Sequence, residues 1–491
     1  METNDAGKHN ETQLTEPPDF NTDVTSELRE IPMTKRQMFK NVLVLSLGFL
    51  FLFTAYQSMA NLQTSLNKED GVGAWSLSAI YVALIVSSMF LPKFVIARLG
   101  CKWTIPACMF GYALYMGANF YAVIWLMTVT GVILGIGAAP LWSAKCTYLT
   151  QIGVWYAKMT KQSEDAIINR FFGFFFMMFQ TSQIWGNLIS SEVFSSKPDN
   201  SSDVINRTES ELAICGANFC PSYAINNPSF DQPKEKVYIL CGIYLACAVL
   251  GFIVISLFLD PITLDQETSA ADRHLSPRLL IATFKHLVAS PAQMLLVPIT
   301  VYSGVEQAFI GGDYTKSYIS CTLGIWNIGY VMICYGVVDA ICSFVFGRLV
   351  QYVGHIPFFV LATVLHGGLQ IFLLLWEPSQ DHVIVFYCVA ALWGMGDAVI
   401  QTQINALYGS LFTANTEAAF ANYKLWESVG FVMPYAYNDY KYMCTYKKLY
   451  VSLAFLGTGI LGYTAVEVME KRKRGRSADI TDCSKGPLAL Q

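Results

Sequence analysis

Apolar residues along this chain gather into runs of about 20, the length a helix needs to cross a hydrocarbon core about 30 Å thick. Read between charges and polar breaks, the runs predict spans near 40–62, 74–97, 103–122 and 124–149. A polar break at 151–167 carries Lys158, Lys161, Glu164 and Asp165, and spans near 168–191 and 237–259 follow it. Beyond a polar linker with Asp260, Asp265, Glu267, Arg273 and Arg278 lie spans near 291–311, 322–347, 355–376, 383–409, 419–438 and 447–468. The pattern predicts an all-α membrane protein with twelve transmembrane helices in two six-helix halves.

The expected organisation is a disordered N-terminal tail at 1–38 and a first half at 39–259 with a long outside loop at 192–236. A cytoplasmic linker at 260–288, a second half at 289–469 and a basic tail at 470–491 complete it.

Composition agrees: 54% of the 491 residues are hydrophobic and only 14% are charged, so most apolar side chains must face lipid. The formal charge of −4 decides little, because orientation follows the placement of Lys and Arg around the spans. Basic residues concentrate in the segments that share a side with the termini, among them Lys35, Arg36, Lys93, Arg98, Lys102, Arg273, Arg278 and Arg348, and both termini are expected in the cytoplasm. Residues 1–30 hold eight acids against Lys8 and Arg29 and have no apolar stretch, so a cleaved signal peptide is not expected.

The long loop contains Asn200-Ser201-Ser202 and Asn206-Arg207-Thr208, two acceptors for glycosylation on the lumenal or extracellular side. Asn10-Glu11-Thr12, on the expected inside, reads as chance. Cys215 and Cys220 stand in the same loop, where disulfides persist. A bridge between them is expected, with free thiols or pairing to Cys321 or Cys444 as the alternatives that spacing leaves open. Most of the thirteen Cys lie inside apolar runs and read as small core residues.

Polar residues inside spans fall on helical faces turned away from lipid. Thr54, Gln57 and Asn61 form one stripe, Gln180, Gln183, Asn187 and Ser190 another, and Asp397, Gln401 and Asn405 a third. The intramembrane ionisable residues are Glu306, Asp339, Asp397, Lys424 and Glu427. They are candidates for carrying protons or ions, weighed against satisfied interhelical hydrogen bonders, and Lys424 with Glu427 reads as an internal pair. Gln57, Glu306, Asp397 and Gln401 make up the candidate central polar site. His366 reads as packed or hydrogen-bonded, and the aromatic run Phe171 to Phe176 as packing.

Neither a phosphate loop, a nucleophile elbow nor a metal-binding cluster is found, so no catalytic role, cofactor or metal is expected. Lys471-Arg472-Lys473-Arg474-Gly475-Arg476 directly follows a span and reads as an anchor to anionic lipid, with no nucleic-acid partner. Ser477 beside it is a candidate phosphorylation site.

Two anchors relate the halves. The turn after span two, Val95 to Trp103, is matched after span eight by Gly347 to His355, and Gly135-Ile136-Gly137 in span four by Gly394-Met395-Gly396 in span ten. Gly100 to Gly354 is 254 residues and Gly137 to Gly396 is 259, which argues for duplication. This is the parallel-repeat plan of major facilitator transporters. The turns resemble that superfamily's G-x-L-x-D-R-x-G-R pattern in degenerate form, with Gln351 and Tyr352 where Asp and Arg would stand.

Longer strings resemble the unc-ninety-three family, a divergent branch of that superfamily: GAAPLWSAKCTYLT from Gly137, FFGFFFMMFQTSQIWGNLIS from Phe171, YSGVEQAFIGGDYTKSYISC from Tyr302, WGMGDAVIQTQINALYG from Trp393 and AFANYKLWESVGF from Ala419. The resemblance covers about Phe39 to Glu470 and is nearer to the shorter A-type members. It implies a protein that acts through another membrane protein, such as a potassium channel it regulates, at the plasma membrane. The polar stripes keep a second reading open, an ion- or proton-coupled carrier of a small solute. An escort for membrane receptors in endomembranes is the third.

Overall fold

Helix α1, Lys35–Leu66, begins at a capping box: the Thr34 hydroxyl accepts from the Gln37 N–H at 3.4 Å, and the Gln37 side chain accepts from the Thr34 N–H at 2.9 Å. The computed structural model describes residues 32–195, 212–220, 232–262, 278–412, 416–436 and 443–483, and every regular element among them is helical.

The long helical stretch Val72–Ala118 is broken at Gly100, where φ +67° and ψ 167° can be held without strain only by glycine. It therefore supplies two spans, α2 (72–99) and α3 (101–118). Gly354 closes the later turn in the same conformation, φ +78° and ψ −179°, so the two turns matched in sequence are matched in backbone. The remaining spans are α4 Ile124–Thr160, α5 Glu164–Phe194, α6 Lys234–Phe258, α7 Pro291–Leu323, α8 Trp326–Val353, α9 Ile356–Leu375, α10 Val383–Leu411, α11 Thr416–Ala436 and α12 Thr445–Cys483. Nine segments of the described residues are long and apolar enough to cross a membrane. Dividing the second at Gly100 and adding the more polar α5 and α11 gives twelve.

Three expectations need correction. The polar break at 151–167 is mostly helix: α4 continues to Thr160 and stops at Lys161, whose φ is +55°. Its Tyr148, Ile152 and Trp155 are buried, so apolar packing carries the helix beyond the span. The 260–288 linker contains an amphipathic helix, Arg278–Ala289, placing Ile281, Phe284 and Val288 at the surface, the pattern of a helix lying in a membrane interface. The span ending near 311 runs on to Leu323, because Phe309–Ser320 is wound as a π-helix with all twelve residues buried.

The halves repeat each other's packing. α1 packs on α5 and α6, and α7 packs on α11 and α12. Across the junction α5 meets α8 and α2 meets α11, where Tyr81 stacks on Phe431 with ring centres 4.2 Å apart. One apolar core joins the first half to the far ends of α7, α8 and α10, including Ile310, Tyr314, Ile328 and Phe386. A separate core holds the near ends of the second half, including Leu296, Ile404 and Tyr463. The halves are therefore packed together on the face away from the termini and have separate cores on the face that carries them.

Candidate functional site

Where the halves meet lies a cavity of about 260 Å³, lined by Tyr56, Gln57 and Asn61 of α1, Tyr81 of α2, Gln183 of α5, Gln307 of α7 and Tyr335 of α8. The stripes of α1 and α5 face each other on one wall. Ser182 donates to Gln57 Oε1 at 2.5 Å, and the Asn61 amide donates to Asn187 Oδ1 at 3.2 Å. Aromatic rings and amides with few free charges make this a pocket for a neutral or weakly polar occupant.

Of the four residues expected at a central site, only Gln57 lines the cavity. Glu306 and Asp397 lie behind it, inside the second half, 0% and 4% exposed. The Trp393 indole N–H donates to Glu306 Oε2 at 2.7 Å, and the Tyr335 hydroxyl donates to Asp397 Oδ2. The two carboxyl groups also touch each other, while Glu306 Oε1 and Asp397 Oδ1 receive no N–H or O–H donor. Gln401, one turn further along α10, donates to Ser303 of α7 at 2.8 Å and accepts from Tyr423 of α11 at 3.2 Å. The structure thus groups Glu306, Asp397 and Gln401 along the α7–α10 seam and leaves Gln57 across the cavity.

Close approach makes the seam possible. A Cβ on Gly396 would strike the His366 imidazole, and one on Gly394 would come within 2.6 Å of the Tyr335 carbonyl, so the glycines flanking Met395 let α10 lie against α9 and α8. His366 Nε2 sits 3.0 Å from the Trp393 carbonyl, which only accepts, so this nitrogen bears the hydrogen. Its Nδ1 then accepts from the Tyr302 hydroxyl at 2.8 Å, which itself accepts from Gln370 at 3.0 Å. Asp339 accepts from Ser343 at 3.2 Å and, across the junction, from Gln180 of α5 at 3.1 Å. Lys424 and Glu427 are paired at 2.6 Å.

Buried charged residues escaped the sequence reading, Lys145, Asp313 and Lys316 among them. Lys145 on α4 is 1% exposed and makes no ion pair among the described residues. Its ammonium stands over Phe175 at 4.5 Å, Phe176 at 4.7 Å, Trp142 at 4.8 Å and Phe172 at 5.3 Å. The aromatic run expected only to pack is three-quarters of this enclosure. Lys145 inside an otherwise apolar run was the available signal.

On the far face, the expected Cys215–Cys220 bridge is replaced by two others: Cys215 is bonded to Cys321 and Cys220 to Cys444. The short turn Gly216–Asn218 separates the two cysteines and lays them against different helix ends, those of α7 and α12. The Thr445 N–H donates to the Phe219 carbonyl at 2.9 Å between them. Two covalent links thus fasten a segment of the first half's loop to the second half. Below them Lys448 and Asp313, both buried, pair at 2.6 Å. Asn200 and Asn206 lie outside the described residues, as does the Ser477 side chain, although its backbone belongs to α12.

Comparison with known proteins places this geometry. The chain is 12% identical to the nucleoside transporter NupG, with a TM-score of 0.56 over 89% of this chain and 99% of that one. It is also 12% identical to the xylose transporter XylE from E. coli in a partially occluded inward open conformation, with a TM-score of 0.57 over 89% and 98%. These likenesses establish the major facilitator fold. Protein unc-93 homolog A of Xenopus laevis is 47% identical over 90% of this chain and 96% of its own length, and the human homolog A 44% over 88% and 94%. The Caenorhabditis elegans unc-93 protein, provisionally named a potassium channel regulatory protein, is 37% identical over 88% of this chain and 61% of its own. The family model described as ion channel regulatory protein UNC-93 matches residues 64–461, so this multi-pass membrane chain belongs to the UNC-93 family.

Proposed function

We propose that this chain is a regulatory membrane protein that acts through an ion channel, a potassium channel in the first instance. The observation that carries this reading is family membership over residues 64–461, in a family described by ion channel regulation, together with the likeness to the nematode protein. The degenerate facilitator turns fit it, since Gln351 and Tyr352 replace the acid and base of that pattern. We place the chain at the plasma membrane on its likeness to a channel-regulating relative, with both termini in the cytoplasm on the distribution of Lys and Arg around the spans. Co-expression of the full chain with potassium channels of the same organism tests the reading: an altered current with a channel that co-purifies supports it, and an unaltered current without association refutes it. Residence confined to endosomes or the endoplasmic reticulum, with changed surface amounts of a receptor, would favour an escort.

The cavity supports a second reading, binding and movement of a small solute, because it sits between the halves of a facilitator fold and is lined by aromatic rings and amides. Uptake into vesicles holding the purified chain separates the two. Regulation of a channel requires no solute flux, and carriage requires no channel.

A further inference from the structure

Glu306 and Asp397 are two acids in contact inside the second half, each with one oxygen supplied by a donor and one without. Two carboxylates cannot rest against each other in a dry interior unless something positive lies between them. Calcium or magnesium would need six or more oxygen ligands and zinc at least three protein ligands, whereas among the described residues no group of three His, Cys, Asp or Glu could hold a metal; the Trp393 indole that donates to Glu306 is itself stacked by His366 and Phe309, at 4.9 and 5.3 Å. A hydrogen ion is the positive charge that needs no further ligands.

We propose that Glu306 and Asp397 form a single-proton site, with one hydrogen shared between Glu306 Oε1 and Asp397 Oδ1 and exchanged with the central cavity through Tyr335. Tyr335 lines that cavity and its hydroxyl donates to Asp397, so the same side chain reaches both the cavity and the pair. When the proton leaves by this route, two negative groups remain face to face and push α7 and α10 apart. Asp339, near Asp397 on α8 and bonded to Gln180 of α5, carries that strain to the junction of the halves. The protonation state of the pair is then a control on how the halves sit.

The other groups that face the pair leave it in this role. On α9, His366 has both nitrogens engaged as a neutral ring, and on α7 Tyr302 donates to it. On α11, Glu427 is held by Lys424 and the Tyr423 hydroxyl, at 2.6 and 2.8 Å. From α5, Gln180 donates to Asp339, the acid beside the pair on α8. The site stands whether the chain regulates a channel or moves a solute.

Infrared difference spectra of the purified full chain in lipid nanodiscs, recorded between near-neutral and alkaline buffer, where exposed carboxylates stay ionised throughout, test the proposal. One carboxylic-acid C=O band should be present near neutral pH, shift in D2O, vanish in alkali, and be absent from both Glu306→Gln and Asp397→Asn while Asp339→Asn keeps it. Tyr335→Phe should keep the band and slow its exchange with D2O. No such band in the native chain, a band that survives in both single variants, or one removed by sodium ions at constant pH would each overturn the single-proton site. Since the first and last of these need no variant, failure of a variant to fold leaves the test intact.

Discussion

Gly100 and Gly354 hold the same backbone conformation, φ +67° and +78° with extended ψ, at the equivalent turns of the two halves. Nothing lies within 4 Å of a Cβ built on either. Alanine there meets no steric obstacle and is penalised through φ alone. Each of Gly100→Ala and Gly354→Ala should lower stability by about 1–3 kcal/mol. Gly347→Ala, in a helix and equally open, should be neutral or slightly stabilising. Thermal unfolding in detergent compares the three, and an equal loss in Gly347→Ala would refute the backbone explanation.

Gly396 presents the opposite case, a helical glycine whose missing side chain is occupied by a neighbour. Its Cβ would collide with His366, which is fixed by Tyr302 and the Trp393 carbonyl and cannot swing away. Gly396→Ala should cost about 1–3 kcal/mol through overpacking. Gly368→Ala on α9, with open space, should cost little. A Tm for Gly396→Ala equal to that of the native chain would mean that α9 and α10 are further apart than described.

The disulfide pairing predicts a chemical map. Peptides released without reduction should join Cys215 to Cys321 and Cys220 to Cys444, and a peptide linking Cys215 to Cys220 should be missing. Cys215→Ser and Cys321→Ser should each lose about 2–4 kcal/mol, and the double variant no more than either single one. Additive losses would show that the two cysteines are not partners.

Lys145 separates stability from function. An ammonium enclosed by rings without a carboxylate is held at a desolvation cost, so Lys145→Met should unfold at the same or a higher temperature. Lys145→Glu, facing the same π clouds with the wrong sign, should lose at least about 3 kcal/mol. If Lys145 serves the regulatory role, Lys145→Met will fold well and fail to alter the partner's current. A Lys145→Met chain that does not fold would assign the residue to structure instead.

Hydrophobic run length made the twelve spans readable, because lipid imposes a length and excludes charge. The paired turns were readable because glycine at Gly100 and Gly354 answers a backbone need visible in sequence. The boundaries at Thr160 and Leu323 were hidden, since a helix that leaves lipid or widens into a π-helix keeps the same residues. Polar spacing placed Asp397 and Gln401 on an inward face, and charge inside a span singled out Glu306. Neither could separate Gln57 from them, because which inward faces share a wall depends on how the halves dock. The disulfide partners were undecidable for the same reason: both links cross between segments far apart in the chain.

The regulatory account is tested most directly by recording potassium current from cells expressing a potassium channel alone or with the full chain, with surface channel quantified in the same cells. It predicts a changed current per surface channel and recovery of the channel with the purified chain. An unchanged current per channel with no channel recovered, across the potassium channels of the same organism, would contradict it.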